Sequence, residues 1–117
     1  MTTPAPQLDR VFFALSDATR RDLLRRLERG PATISALSAR FPVTLAAISK
    51  HLAVLADAGL VHIARSRQDR RVRTCTLTTD GLDDARRWVE RNRAAWNRRL
   101  DALERVLNRR AASGSRR

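Results

Sequence analysis

The most distinctive stretch of the chain is TLAAISKHLAVLADAGLV, residues 44–61. Ser49, Lys50 and His51 stand together within an otherwise apolar run, and Lys50 is the only lysine among 117 residues. A hydroxyl, an ammonium and an imidazole can hydrogen-bond to base edges or phosphates. The chain offers no nucleophile with a base at a useful spacing, no glycine-rich phosphate loop and no metal-ligand cluster. The pattern therefore predicts binding and no enzyme activity.

The two faces of this stretch differ sharply when it is drawn as a helix with about 100° per residue. The face predicted to be buried consists of Leu45, Ile48, Leu52, Leu55 and Ala56. The opposite face carries small side chains around one cation: Ala46, Ala47, Lys50, Ala53 and Val54. A helix that enters the major groove of DNA, about 12 Å wide, needs such small residues. We therefore predict a DNA-reading helix, with Thr44 as its N-cap beside first-turn N–H groups that can hold a phosphate.

His51 allows two interpretations. Its position at the edge of the predicted buried face is typical of a hydrogen-bonded structural histidine. The same imidazole could instead touch a DNA phosphate. Both interpretations stay open at this point.

A second basic group lies between two predicted strands. Five arginines fall within nine residues and are opposed only by Asp69: Arg65, Arg67, Arg70, Arg71 and Arg73. Because like charges this close repel one another, the pattern favours a hairpin that meets a polyanion, in the minor groove or along the backbone of DNA. The alternative is a solvated, mutually repulsive loop.

The overall charge points to the same class of partner. Lysine and arginine total 24 against 12 acidic residues, which gives a net charge of +12. Coding bias can explain why arginine replaces lysine, but it does not explain the excess of base over acid. Nucleic acid is the default partner for so basic a chain.

Several other classes of protein are disfavoured. Cys75 is the only cysteine, so no intrachain disulfide can form; we expect an inert strand residue, with a redox role as the alternative. No apolar run approaches the roughly 20 residues of a membrane span, and the first ten residues do not resemble a signal peptide. We expect a cytoplasmic protein with no membrane partner.

The elements that must position these residues follow from periodicity and capping signals. Four helices are predicted, then strands at 61–66 and 72–78, then a long helix from Thr79. The order α-α-α-α-β-β-α is a mainly helical fold with a minor α+β component, a winged helix-turn-helix. We predict a flexible segment over 1–7, one domain over 8–110 that includes a C-terminal dimerisation helix, and a disordered basic tail over 111–117.

The long last helix carries an apolar seam that repeats every seven residues. It is too large for one small domain to cover, and the first helix offers a matching surface. The predicted dimer interface consists of Leu8, Phe12, Leu15, Leu82, Val89, Trp96, Leu100, Leu103 and Leu107. A two-fold axis would place two reading helices about 34–36 Å apart, which predicts a pseudo-palindromic site. Aromatic residues that line a small-ligand pocket are the alternative.

The residues from 8 to about 80 resemble the ArsR (arsenical-resistance repressor) family of winged helix-turn-helix regulators. The matching segments are ALSDATRRDLLRRL (14–27), ISALSARF (34–41), ISKHLAVLADAGLV (48–61) and the arginine-rich hairpin at 65–77. The resemblance implies a homodimeric repressor whose terminal helices form the interface and whose fourth helix reads DNA. By position it implies DNA contacts, besides the hairpin arginines, at Thr44, Ala46, Ala47, Ser49, Lys50 and His51.

Two departures from the family pattern matter. Leu45 stands where many members have a glutamine, so one base contact is missing and the DNA sequence cannot be borrowed from relatives. The metal-sensing members carry Cys-x-Cys in the third helix, where this chain has SALSARF, and its last helix contains no histidine. We therefore expect no metal ion and no other cofactor.

These observations favour a homodimeric, sequence-specific repressor that binds double-stranded DNA. Whether an unidentified small-molecule effector releases it from DNA stays open at this point. The alternative is a non-specific architectural protein that binds nucleic acid. It shares the charge of the chain but has no need of a small-residue reading helix.

Overall fold

The computed structural model describes residues 5–114. The elements in chain order are α1 (Ala5–Leu15), α2 (Ala18–Leu27), β1 (Ala32–Thr33), α3 (Ile34–Arg40), α4 (Leu45–Asp57), β2 (Val61–Arg65), β3 (Arg73–Leu77) and α5 (Asp80–Gly114). The predicted winged helix-turn-helix order is confirmed, with one additional short strand. None of the described helices combines the length and the apolar character needed to cross a bilayer.

Side-chain caps fix where three of the helices begin. Asp17, Thr33 and Thr44 have extended backbones, and each side chain accepts a hydrogen bond from the N–H three residues later. Gly59 follows the end of α4 with φ +73°, the left-handed conformation that glycine adopts without strain. Together Thr44 and Gly59 fix the length of the predicted reading helix.

The sheet has the order β1-β3-β2 and is antiparallel throughout. The hairpin of β2 and β3 is the predicted one; we call its connecting loop, residues 66–72, the wing. The sequence does not predict β1, because two residues are too few to show an alternating pattern. By pairing Ala32 with Cys75 and Thr33 with Thr74, β1 joins the start of α3 to the hairpin.

The hydrophobic core lies beneath α4. Ile48, Leu52 and Leu55 have no solvent exposure, as predicted, and Ala56 is half-buried against the same cluster. The prediction that Leu45 is buried is wrong, since 52% of this residue is exposed. Leu45 is the first residue of α4, and it lines a groove toward the wing rather than the core.

The predicted boundaries also need correction. Helix α1 already begins at Ala5, because a proline such as Pro6 is tolerated in the first helical turn, where its missing N–H has no intrahelical acceptor. Helix α5 continues to Gly114 through Ala111 and Ala112, residues of high helix propensity. The rest of the predicted flexible ends, 1–4 and 115–117, lies outside the described residues. The chain forms two compact units that divide between Ala85 and Arg86, within α5, and the single domain over 8–110 stays a prediction.

A buried arginine connects α1, α2 and α4. Arg20 is only 7% exposed, and its guanidinium donates to the carbonyls of Phe13 at 2.9 Å and Ala14 at 2.8 Å. It also lies 4.9 Å from the centre of the Phe13 ring and 3.3 Å from Nδ1 of His51. One side chain thus supplies the carbonyls at the end of α1 with donors and contacts the middle of α4.

We expect Arg20→Ala to lower the free energy of unfolding by about 2–4 kcal/mol, because it leaves two carbonyls and an imidazole without their donor. Arg20→Lys should give a smaller loss, since an ammonium has fewer and less extended donors. Urea denaturation followed by circular dichroism measures both. The matched control is Arg21→Ala, whose exposed guanidinium also binds an α1 carbonyl, that of Leu15 at 2.8 Å, and should cost no more than about 0.5 kcal/mol. Equal losses at the two positions would contradict the role of Arg20.

Candidate nucleic-acid interface

The exposed face of α4 consists largely of small side chains. Ala46, Lys50 and Ala53 are exposed, while Ala47 and Ser49 are half-buried. The Oγ1 of Thr44 accepts a hydrogen bond from Ala47 N at 3.1 Å, and its own hydroxyl hydrogen can still be donated to a ligand. The only acidic residue of α4 is Asp57, which is exposed at the last position of the helix, two turns beyond Lys50.

Lys50 carries a charge without a partner. Within residues 5–114 no hydrogen bond or ion pair reaches its ammonium. The neighbouring Ser49 is less free, since Arg73 Nη2 lies 3.5 Å from its Oγ. This contact connects the third strand to the reading helix.

The wing is a tight loop whose polar groups bind one another. Ser66 Oγ accepts from the backbone N–H groups of Gln68 at 3.2 Å and Asp69 at 3.3 Å. The Asp69 carboxylate accepts three hydrogen bonds from Arg71, one from its backbone N–H at 3.0 Å and two from its guanidinium at 3.1 and 3.2 Å, and this guanidinium lowers the pKa of the Asp69 carboxyl. Arg65 Nη1 donates to the carbonyl of Arg70 at 2.9 Å. Arg65 and Arg71 therefore shape the loop.

The remaining charges of the wing are unneutralised. In the described part of the chain, the guanidinium groups of Arg67 and Arg70 have no hydrogen bond or ion pair. Arg65 and Arg73 are direct cross-strand partners, a pairing of like charges that destabilises an isolated hairpin. An anion placed against the wing would offset both effects.

A groove of about 430 Å³ lies between the wing and the helices. One side is formed by the start of α3, residues 33–35, and by Leu45 at the start of α4. The other side is formed by Asp69 and residues 71–73. The first turns of both helices of the helix-turn-helix thus face the same groove as the wing.

His51 is held from inside the protein. Its Nδ1 lies 3.3 Å from Arg20 Nη1 and 3.9 Å from Asp17 Oδ2. The backbone N–H of Arg20 lowers the pKa of the Asp17 carboxyl, which keeps it ionised near neutral pH. Because a guanidinium can only donate, the Arg20 contact matches the neutral tautomer that carries its ring proton on Nε2. His51 therefore has the contacts of a structural histidine on its Nδ1 side. Its Nε2–H is the group that remains for a ligand.

Arg20 is a residue of this region that the sequence pattern does not single out. It is hidden among neighbouring arginines, yet Arg20, Leu23, Leu24 and Leu27 are spaced as one helical face. An arginine on the apolar face of an amphipathic helix is a signal that could have identified it.

The side chains that could ligate a metal ion do not cluster in the described part of the chain. No group of three or more histidine, cysteine, aspartate or glutamate side chains comes together within residues 5–114. Cys75 is fully buried at the centre of the sheet, and burial raises the pKa of its thiol. A buried, protonated thiol is a poor nucleophile.

The predicted interface residues fall into two groups. In the first unit Leu8, Leu15 and Leu82 are half-buried, and Leu15 and Leu82 pack against the core, while Phe12 is 37% exposed. In the second unit a row of large apolar side chains, which we call the α5 stripe, is between 46% and 59% exposed: Val89, Trp96, Leu100, Leu103 and Leu107.

Comparisons with known proteins are consistent with this geometry. A family model described as a helix-turn-helix domain matches residues 15–64. The HTH-type transcriptional regulator Rv2034 of Mycobacterium tuberculosis is 45% identical over 53 residues, which are 45% of this chain and 50% of that protein. The chain therefore spans about half the length of this curated relative.

Solved structures extend the similarity over most of the chain. The solution structure of a homodimeric winged helix-turn-helix DNA-binding domain, Mb0332 of Mycobacterium bovis, is 26% identical with a TM-score of 0.57, over 77% of this chain and 79% of that one. The crystal structure of an ArsR family transcriptional regulator is 35% identical with a TM-score of 0.75, over 83% of this chain and 97% of that one. This chain belongs to the ArsR family of winged helix-turn-helix transcriptional regulators.

Proposed function

We propose that this protein represses transcription as a homodimer that binds double-stranded DNA sequence-specifically. In this proposal α4 lies in the major groove, and the wing lies on the minor groove or the backbone of a pseudo-palindromic operator. The observation that carries the proposal is the set of unpartnered cations Lys50, Arg67 and Arg70, which flank a helix face of small side chains.

The shape of α4 supports its place in the major groove. Its 13 residues span about 20 Å at roughly 1.5 Å per residue, longer than the groove is wide, so the helix would lie along the groove or enter it by one end. Ala46, Ala47 and Ala53 permit close approach, and an alanine methyl can pack on a thymine methyl. Lys50 and Ser49 are then the side chains proposed to reach base edges.

Phosphates would be held around this reading face. The N–H groups of the first turn of α4, with the hydroxyl of Thr44, form one proposed site. The Nε2–H of His51 forms a second, because Arg20 occupies its Nδ1. Arg67 and Arg70 form a third proposed phosphate site, on the wing. The neighbouring arginines add positive charge there while they keep their contacts within the protein: Arg65, Arg71 and Arg73.

A second copy of the chain is the proposed cover for the α5 stripe. Five large apolar side chains on one helix, each about half exposed or more, are costly to leave in water, and each is worth about 1.5–3 kcal/mol when fully buried. A self-complementary stripe pairs across a two-fold axis, and the homodimeric state of the Mb0332 domain supports that arrangement. Leu8, Phe12, Leu15 and Leu82 remain predicted members of a subunit interface.

We expect Lys50→Ala and Arg67→Ala to act differently on DNA. The test uses a fragment selected by the wild-type chain from a random library and a scrambled version of it, with binding measured by fluorescence anisotropy. Lys50→Ala should weaken binding to the selected fragment about 5- to 150-fold, with little effect on the scrambled one, because base contacts specify sequence. Arg67→Ala should weaken both alike and reduce the salt slope by about 1, since it contacts phosphate.

The matched control for that experiment is Arg10→Ala, which removes one exposed charge from α1 and should change neither affinity. Equal losses for Lys50→Ala on both fragments would contradict its role in base readout. If no fragment is enriched over random DNA, the protein is the non-specific architectural alternative.

We expect Leu100→Glu to convert the dimer into a monomer, because a carboxylate in the middle of an apolar interface must lose its hydration. Sedimentation velocity should show at least a roughly 100-fold increase in the dimer dissociation constant, equivalent to about 3 kcal/mol. Asn97→Glu is the control, since it adds the same charge at an exposed residue of α5 outside the stripe. A wild-type chain that sediments as a monomer, or a Leu100→Glu variant that remains a dimer, would refute this interface.

A further inference from the structure

A second basic site lies away from the proposed DNA surface, in a cleft of about 300 Å³ between α2 and the end of α3. We call it the arginine cleft. It is lined by Asp22, Arg25, Arg26, Arg29, Arg40 and Phe41. Its volume is at the lower end of the range for small-molecule pockets, about 300–1,000 Å³.

The charge of the arginine cleft is not balanced from within. Four arginines and one acidic residue, Asp22, line the cleft, and the Asp22 carboxylate lies 3.6 Å from the Arg25 guanidinium. The carbonyl ends of α2 and α3 offset roughly half a unit of charge each, which leaves a net charge of about +2. Glu28 belongs to the same turn of the chain but does not line the cleft.

Two of the four guanidinium groups are free to bind. Arg26 is anchored, since its Nη1 donates to the carbonyl of Gly30 at 3.3 Å. By contrast, within residues 5–114 the side chains of Arg29 and Arg40 have no hydrogen bond or ion pair. Guanidinium groups recognise carboxylate and phosphate oxygens in pairs, through parallel N–H donors.

The cleft also has an apolar wall. Phe41 is half-buried and packs against the hydrophobic core, so its position is fixed. A ligand held by Arg29 and Arg40 would therefore meet an aromatic surface beside its anionic group. Inorganic phosphate satisfies the arginines but makes no use of this wall.

The arginine cleft shares no residue with the proposed DNA surface. The groove beside the wing is lined by residues 33–35 at the start of α3, whereas the cleft is lined by Arg40 and Phe41 at and after its end. The seven residues of α3 separate the two by about 10 Å. DNA held at the wing and α4 thus leaves the charge of the cleft unexplained.

We propose that the arginine cleft binds a small organic anion, with a carboxylate or phosphate group held by Arg29 and Arg40 and an apolar or aromatic body against Phe41. This proposal does not rest on the proposed function. It requires only that the two unpartnered guanidinium groups act together on one ligand.

The test is a titration of the ¹⁵N-labelled 117-residue chain with phenyl phosphate, followed by backbone amide shifts in NMR spectra. We expect saturable shifts at Arg29, Arg40 and Phe41, and binding of inorganic phosphate at least about 5-fold weaker because it lacks the ring. The double variant Arg29→Ala/Arg40→Ala should weaken phenyl phosphate binding at least about 10-fold. Both side chains lack partners in the described structure, so their removal should leave the fold intact.

Arg67→Ala/Arg70→Ala is the matched control, since it removes the same charge from the wing. This wing variant should keep its affinity for phenyl phosphate and lose affinity for DNA. The cleft variant Arg29→Ala/Arg40→Ala should lose affinity for phenyl phosphate and keep its affinity for DNA. The proposal is overturned if no saturable shift occurs, or if the wing variant loses phenyl phosphate binding equally, which would indicate a general charge effect. It is also overturned if the cleft variant weakens DNA binding and lowers the salt slope by about 2, which would identify a DNA phosphate as the ligand.

Discussion

A helix that offers one face to a ligand must be held in place by its other face, and this constraint governs α4. Ile48, Leu52 and Leu55 are completely buried, so they fix the rotation of the helix about its own axis. Thr44 and Gly59 fix where it begins and ends. The exposed face can therefore remain small and almost uncharged, because it contributes little to the stability of the fold.

Apolar packing restrains the rotation of α4 about its axis more firmly than it restrains a shift of α4 along that axis. Polar contacts restrain the shift. Arg20 is bound to two carbonyls at the end of α1 and reaches His51 in the middle of α4. At the far side of α4, Arg73 of the third strand reaches Ser49. Of the three proposed reading residues, His51 is thus bound to Arg20 of α2, and Ser49 is bound to Arg73 of the third strand. Lys50, which lies between them in the sequence, keeps a free ammonium within residues 5–114.

The sequence predicts those features of the structure that depend on the spacing and type of neighbouring residues. Helix caps at Thr33 and Thr44, the buried face from Ile48 to Leu55 and the hairpin all follow from local spacing and residue type. The exposure of Leu45 is not predicted, because a helical wheel treats every turn of a helix as equally covered. In the structure the first turn of α4 faces a groove. The strand at Ala32–Thr33 is set by its pairing with the hairpin, a long-range contact that two residues cannot reveal. The seven-residue repeat of the α5 stripe can be recognised in the sequence. The surface that covers the stripe cannot, because the proposed cover belongs to a second copy of the chain.

The contacts of individual arginines could not be read from composition, although the net charge could. Arg20 is buried and structural, Arg65 and Arg71 shape the wing, and only some of the rest are left without partners. The unpartnered cations beside the proposed DNA surface, Lys50, Arg67 and Arg70, are few for a chain of net charge +12. A polyanion at that surface therefore accounts for only part of the basic excess. The pair in the arginine cleft belongs to the remainder, because it sits at the opposite end of α3 and faces an aromatic wall that a DNA backbone would not need.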